Sequence, residues 1–131
     1  MRSLIVDDEL TSRIILQKIL SPLGECTIAV NGQEAMEAFI LAKKNRMPYN
    51  LICLDIMMPG INGQTVLQHI RGIEEKEEIP RASRVKIIMT TARDDSKTIM
   101  ESVIKFGCDS YILKPINKIK LLSRLKELGL I

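Results

Sequence analysis

Five times along the chain a short apolar run gives way to a longer stretch of helical periodicity, and few folds accommodate that alternation. The runs are Leu4-Ile5-Val6, Cys26 to Val30, Leu51-Ile52-Cys53-Leu54, Val85 to Met89 and Tyr111-Ile112-Leu113. The first helical pattern starts at Thr11, places Ile15, Leu16, Ile19 and Leu20 on one face, and is closed by Pro22 and Gly24. The second runs from Gln33 to about Asn45 with Ala35, Met36, Phe39 and Ile40 inward. The third runs from Gln64 to about Glu75 with Val66, Leu67 and Ile70 together, and the fourth from Ser96 to Phe106 with Gly107 as its cap. Asn117 caps a fifth, whose stripe is Leu121, Leu122, Leu125 and Leu128. Serial β-α units predict an α/β protein with a five-stranded parallel sheet and five helices. The continuously apolar strands fit a sheet covered on both faces. Right-handed crossovers then bring all strand C-terminal ends to one edge, where open α/β sheets bind ligands.

Composition removes several function classes. Nineteen Lys and Arg against sixteen Asp and Glu give +3, short of the excess a nucleic-acid binder carries, and no Trp is present to stack on bases. No apolar run reaches the roughly 20 residues of a membrane span. The N-terminus meets Asp7-Asp8 too early for a signal-peptide core, so a cytoplasmic protein without membrane contact is expected. Cys26, Cys53 and Cys108 are far apart and His69 is the single histidine, which argues against both a disulfide framework and a zinc site. Cys53 is expected buried and His69 exposed.

The strand ends carry the chemistry. Asp7-Asp8 and Glu9 follow the first run, Asp55 the third, Thr90-Thr91 the fourth and Lys114-Pro115 the fifth. Singly, such residues cap helices or start turns. Together, on one sheet edge, three carboxylates, a hydroxyl and an ammonium converge. Crowded carboxylates repel one another until a cation or a proton relieves them. Oxygen-only ligands favour Mg²⁺, or Mn²⁺, over zinc. A carboxylate can attack phosphorus, a Lys can neutralise the transferring group, and Thr91 can donate a hydrogen bond to it. The residues therefore point to a Mg²⁺-dependent phosphoryl acceptor at an aspartate.

In these same residues the sequence resembles the receiver domain of two-component response regulators. Asp7-Asp8, Asp55 with Met58-Pro59-Gly60 and Gly63, Thr91-Ala92 and Lys114-Pro115 occur in that family's order, over essentially the whole chain. The resemblance implies a flavodoxin-like doubly wound sheet of order 2-1-3-4-5. It implies Asp55 as phosphoacceptor, with Asp8, Asp55 and the Met57 backbone carbonyl binding Mg²⁺ directly and Asp7 acting through water. Thr91, the Ala92 N–H and the Lys114 ammonium would hold phosphoryl oxygens, and the bond before Pro115 would be cis. Thr91 and Tyr111 would form the switch, Thr91 moving towards the phosphoryl group as Tyr111 turns inward. Only one of Thr90 and Thr91 can face the crevice in a regular strand. The family places a small residue after the switch hydroxyl, and Ala92 meets that condition for Thr91.

The resemblance further implies partners. A histidine kinase or histidine phosphotransfer protein would supply the phosphoryl group, docking near Thr11 to Ile15 and the loop after Lys114. The expectation is a single-domain receiver, residues 1–131 with no effector domain. It would signal to an as yet unknown downstream target by protein contact or phosphorelay, or through a phosphorylation-dependent homodimer. It would be no turnover enzyme, its only chemistry being its own phosphorylation and dephosphorylation. Lys97, Lys105, Lys118, Lys120 and Lys126 would present a face to an acidic partner or a second copy, and an apolar Met57 would slow loss of the phosphoryl group. Two stretches depart from the family pattern: Glu74 to Arg84, read as a solvated mixed-charge loop, and Arg93 to Lys97, about one residue longer than in the chemotaxis regulator.

Three other readings compete. A pseudo-receiver would need a missing Asp, Thr or Lys. A flavin-binding relative would need a phosphate loop where Asp7-Asp8-Glu9 would repel the ligand. An aspartate-dependent phosphatase would need an acid at position 57, which is Met.

Overall fold

The computed structural model describes residues 1–92 and 97–131, with backbone alone at 98 and 102. Along the chain run β1 (Ser3–Val6), α1 (Leu10–Leu20), β2 (Cys26–Ala29), α2 (Gly32–Lys44), β3 (Leu51–Asp55), α3 (Gly63–Lys76), β4 (Lys86–Thr91), α4 (Lys97–Lys105), β5 (Ser110–Leu113) and α5 (Lys118–Glu127). The strands form one parallel sheet of order β2-β1-β3-β4-β5, the flavodoxin-like doubly wound arrangement.

Alternation along each strand divides the core in two. Leu4, Val6, Ile52, Leu54, Ile87 and Met89 pack with Ala35 and Phe39 of α2, Val66, Leu67 and Ile70 of α3, and Val103 of α4. Ile5, Leu51, Cys53, Ile88 and Ile112 pack on the other face with Leu16, Ile19 and Leu20 of α1 and Leu121 and Leu125 of α5. Each Val, Leu, Ile, Phe or Met side chain among them, taken from water, contributes about 1.5–3 kcal/mol.

Side-chain caps start three of the helices. The Asn31, Asn62 and Asn117 amide oxygens accept from the backbone N–H of Glu34, Thr65 and Lys120 at 2.8, 2.9 and 3.1 Å. Gly107, at φ +93°, follows α4 in the left-handed conformation.

The structure differs from the sequence expectation at three places. Helices cover both faces of the inner strands β1, β3 and β4, but the outer strands are half open: Thr27 and Ile28 of β2 and Tyr111 and Leu113 of β5 are exposed. An edge strand has a neighbour on one side only, so fewer helices reach over it. Ile40 faces solvent at 48% exposure, because Phe39 and Ala35 already fill the stripe by which α2 meets the sheet. The stretch from Glu74 is no solvated loop at its start. α3 continues to Lys76, Glu74 is 2% exposed, and a 3-10 turn at Arg81–Ser83 leads into β4. The described part of α4 is Lys97–Lys105, and the expected lengthening at Arg93 to Lys97 lies, apart from Lys97 itself, outside the described residues.

Candidate functional site

Because every strand is parallel, β1, β3, β4 and β5 end on the same edge. β1 delivers Asp7 and Asp8, and β3 ends at Asp55. One carboxylate oxygen from each of Asp7, Asp8 and Asp55 lies within 4.8 Å of the other two. Asp7 is fully buried, Asp55 is 4% exposed and Asp8 faces solvent, so the cluster is a notch with one open side.

Lys114 crosses from β5 into this notch. Its Nζ lies 3.0 Å from Asp7 Oδ2, 3.3 Å from Asp55 Oδ2 and 2.7 Å from Glu9 Oε1. The Lys114–Pro115 peptide is cis. The Lys114 backbone N–H donates to the Thr91 carbonyl at 2.7 Å, fixing the root of the side chain against β4.

The loop after β3 is held equally closely. The Met57 N–H donates to Asp55 Oδ1 at 3.3 Å, and the Gly63 N–H donates to the Ile56 carbonyl at 2.8 Å. A Cβ at Gly63 would fall on the Asp55 carbonyl oxygen, so α3 can start this close to Asp55 only from a glycine. The Met57 side chain points out, 55% exposed.

Electrostatics follow from the crowding. Burial pushes the Asp55 carboxyl up to about 7, and repulsion from Asp7 adds to this, against the pull of Lys114 and the Met57 N–H. Burial disfavours the Lys114 ammonium, but its hydrogen bonds and attraction to Glu9, Asp7 and Asp55 outweigh that and raise its pKa. The hydrogen bond from Lys114 lowers the pKa of Glu9.

These residues fit a hard cation. Four carboxylates, Asp7, Asp8, Glu9 and Asp55, stand at a notch that holds one ammonium, and buried Asp7 Oδ2 shares that ammonium, at 3.0 Å, with Glu9 and Asp55. A buried carboxylate oxygen with only a shared ammonium to balance it, beside an exposed carboxylate, suits a small oxygen-seeking ion that keeps some of its water.

The two threonines sit differently. Thr90 pairs with Asp55 across the ladder and shares the sheet face of Cys53 and Ile88. Its Oγ1 is buried and makes no hydrogen bond among the described residues. Thr91 follows at the end of β4 on the other face, and its hydroxyl reaches the Ala92 carbonyl at 3.4 Å, a long contact. Ala92 is partly buried just beyond it. Tyr111, paired with Met89 in the ladder, is 44% exposed. Lys97, Lys105, Lys118, Lys120 and Lys126 are all exposed, as is His69, while Cys53 is buried. The site residue that the sequence reading left without a role is Glu9, whose contact with Lys114 joins residues 105 positions apart. Its signal was its place directly after the acidic pair.

No helix among the described residues is long and apolar enough to cross a membrane. The family model described as "Response regulator receiver domain" matches residues 3–126. The "Probable transcriptional regulator ycf27" of Cyanophora paradoxa is 35% identical over 126 residues, covering 95% of this chain and 46% of that protein, so the chain spans about half the length of this relative. A response regulator receiver domain protein (CheY-like) from Methanospirillum hungatei JF-1 superposes with TM-score 0.73 at 30% identity, over 96% of this chain and 90% of that one. The receiver domain of the histidine kinase CKI1 from Arabidopsis thaliana, complexed with Mg²⁺ and BeF₃⁻, superposes with TM-score 0.82 at 24% identity over 98% and 89%. With the match running from β1 into α5, the chain belongs to the family of response regulator receiver domains.

Proposed function

We propose that this chain takes up a phosphoryl group on Asp55 from a phosphohistidine, in a Mg²⁺-dependent reaction, and signals through its α4-β5-α5 face. The observation that carries the reading is the convergence of Asp7, Asp8, Asp55 and Lys114 at one notch from three different strand ends. Asp8, Asp55 and the Met57 carbonyl would hold the ion directly, and Asp7 would hold it through water. Bound there, Mg²⁺ supplies positive charge beside the transferring group.

The chain's own residues do the rest. The ionised Asp55 oxygen attacks phosphorus, the new P–O bond forms, and the P–N bond to the donor imidazole breaks with its electron pair returning to nitrogen. Lys114 offsets the charge of the acyl phosphate. Thr91 Oγ1 and the Ala92 N–H take phosphoryl oxygens, which requires the Thr91 hydroxyl to leave the Ala92 carbonyl. That movement re-sets the β4 end and lets Tyr111 turn inward. Hydrolysis by water returns Asp55 to the carboxylate, so the domain's chemistry is its own phosphorylation cycle and not turnover of a substrate. The kinase or phosphotransfer protein docks against α1 beside the notch, and the exposed lysines of α4 and α5 suit an acidic target or a second copy.

Incubation with acetyl phosphate and Mg²⁺, followed by intact-mass spectrometry, tests this reading. A gain of one phosphoryl group that vanishes in Asp55→Asn and on chelation of the metal is expected. No gain in the folded wild type favours a pseudo-receiver, which binds partners without phosphorylation.

A further inference from the structure

The shortest contact of the Lys114 ammonium is with neither buried aspartate. Its Nζ sits 2.7 Å from Glu9, against 3.0 Å from Asp7 and 3.3 Å from Asp55. Glu9 precedes α1 at its N-cap, yet its side chain makes no capping bond there. Its backbone N–H donates to Asp7 Oδ1 at 2.9 Å, which fixes the residue at the lip of the notch. The Glu9 side chain is 61% exposed, whereas that of Lys114 is 14% exposed.

An ammonium has three donors, and here three carboxylates surround it. A phosphoryl group on Asp55 adds three strong acceptor oxygens and a charge of about −1.5 to −2. The acyl phosphate takes the carboxylate charge off Asp55, so Lys114 must turn from Asp55 Oδ2 to the phosphoryl oxygens, and that turn stretches its contacts with Asp7 and Glu9. Asp7 is buried and costly to leave without a counter-charge, while water can readily solvate Glu9.

We propose that Glu9 is a positioning residue for phosphoryl uptake: its carboxylate draws the Lys114 ammonium towards the β1 side of the notch and must release it as the phosphoryl group arrives. This rests on phosphorylation at Asp55. Release of a partly exposed ion pair slows uptake by about two- to fivefold.

The test compares full-length wild type, Glu9→Gln, Glu9→Asp and Asp55→Asn. Glu9→Gln removes the charge. Glu9→Asp keeps the charge but, one methylene shorter, falls short of Lys114. With acetyl phosphate and Mg²⁺, both Glu9 variants should gain the phosphoryl mass about two- to fivefold faster than wild type. In the metal-free proteins, the ¹⁵N-resolved ammonium signal of Lys114 should move in both variants, while circular dichroism stays that of wild type. If only Glu9→Gln speeds up, the effect is general repulsion of an anionic donor and the inference fails. Unchanged rates, or an unmoved Lys114 signal, also overturn it. Wild type that gains no more mass than Asp55→Asn defeats the phosphoacceptor reading, and this inference with it.

Discussion

Lys114 and Asp55 stand 59 positions apart in sequence, yet Nζ and Oδ2 meet at 3.3 Å beside buried Asp7. Removing the ammonium leaves buried carboxylates without a counter-charge. Lys114→Met should therefore lower the stability of the metal-free protein near neutral pH by about 1–3 kcal/mol, and added Mg²⁺ should recover much of it. Thermal melts with and without Mg²⁺ check this. A melting temperature equal to wild type without metal contradicts it.

Asp55 makes stability depend on pH. Burial and Asp7 raise its carboxyl from 3.8 to about 7, so the folded state favours the protonated form. Between those two values the folded protein binds more protons than the unfolded chain. This contribution to stability is full below the lower value and declines as pH rises through the window towards 7. Asp55→Asn removes it. The variant should show a flatter profile and, at about pH 8 without metal, stand on the order of 1–2 kcal/mol above wild type, Lys114 already offsetting part of the strain. Urea unfolding across the window measures both.

The opening of α3 is equally constrained. Any side chain at position 63 meets the Asp55 carbonyl oxygen, so Gly63→Ala must push α3 and the β3 end apart. A loss of about 1–3 kcal/mol is expected, with weakened Mg²⁺ binding because the Met57 carbonyl moves too. Urea unfolding and metal titration of the variant read the two effects separately.

At the opposite end of the sheet, Glu74 accepts from Arg71 Nη1 at 2.6 Å and from the Val85 N–H at 2.9 Å. Arg71 also donates to Asp109 at 2.7 Å and to the Gly107 carbonyl at 2.9 Å, tying α3 to the turn before β5. Glu74→Ala strands a buried N–H and an arginine, and should cost about 2–4 kcal/mol. Glu74→Gln, which keeps an acceptor for Val85, should cost less. Chemical denaturation of both variants decides. Equal small losses would mean that the network carries little.

Element order and the acidic notch were legible in the sequence because both rest on local signals. Apolar runs such as Leu51 to Leu54 mark strands, and parallel pairing then forces their polar ends together. Glu74 was not legible: within a mixed-charge run it looks solvated, and only its distant partners Val85 and Arg71 show that it can be buried. Ile40 misled for the converse reason, since an apolar residue beside a helical stripe need not lie in it. Glu9 had a place beside the acidic pair but no role, because its meeting with Lys114 depends on where β5 ends relative to β1.

The proposed function stands or falls with Asp55 as the carrier of the phosphoryl group. Borohydride reduces an aspartyl phosphate to homoserine, so trapping after incubation with acetyl phosphate and Mg²⁺, followed by peptide sequencing in the mass spectrometer, locates it. Homoserine at position 55, lost on chelation of the metal, is the predicted result. Homoserine at another position, or none in the folded protein, would overturn Asp55 as the phosphoacceptor.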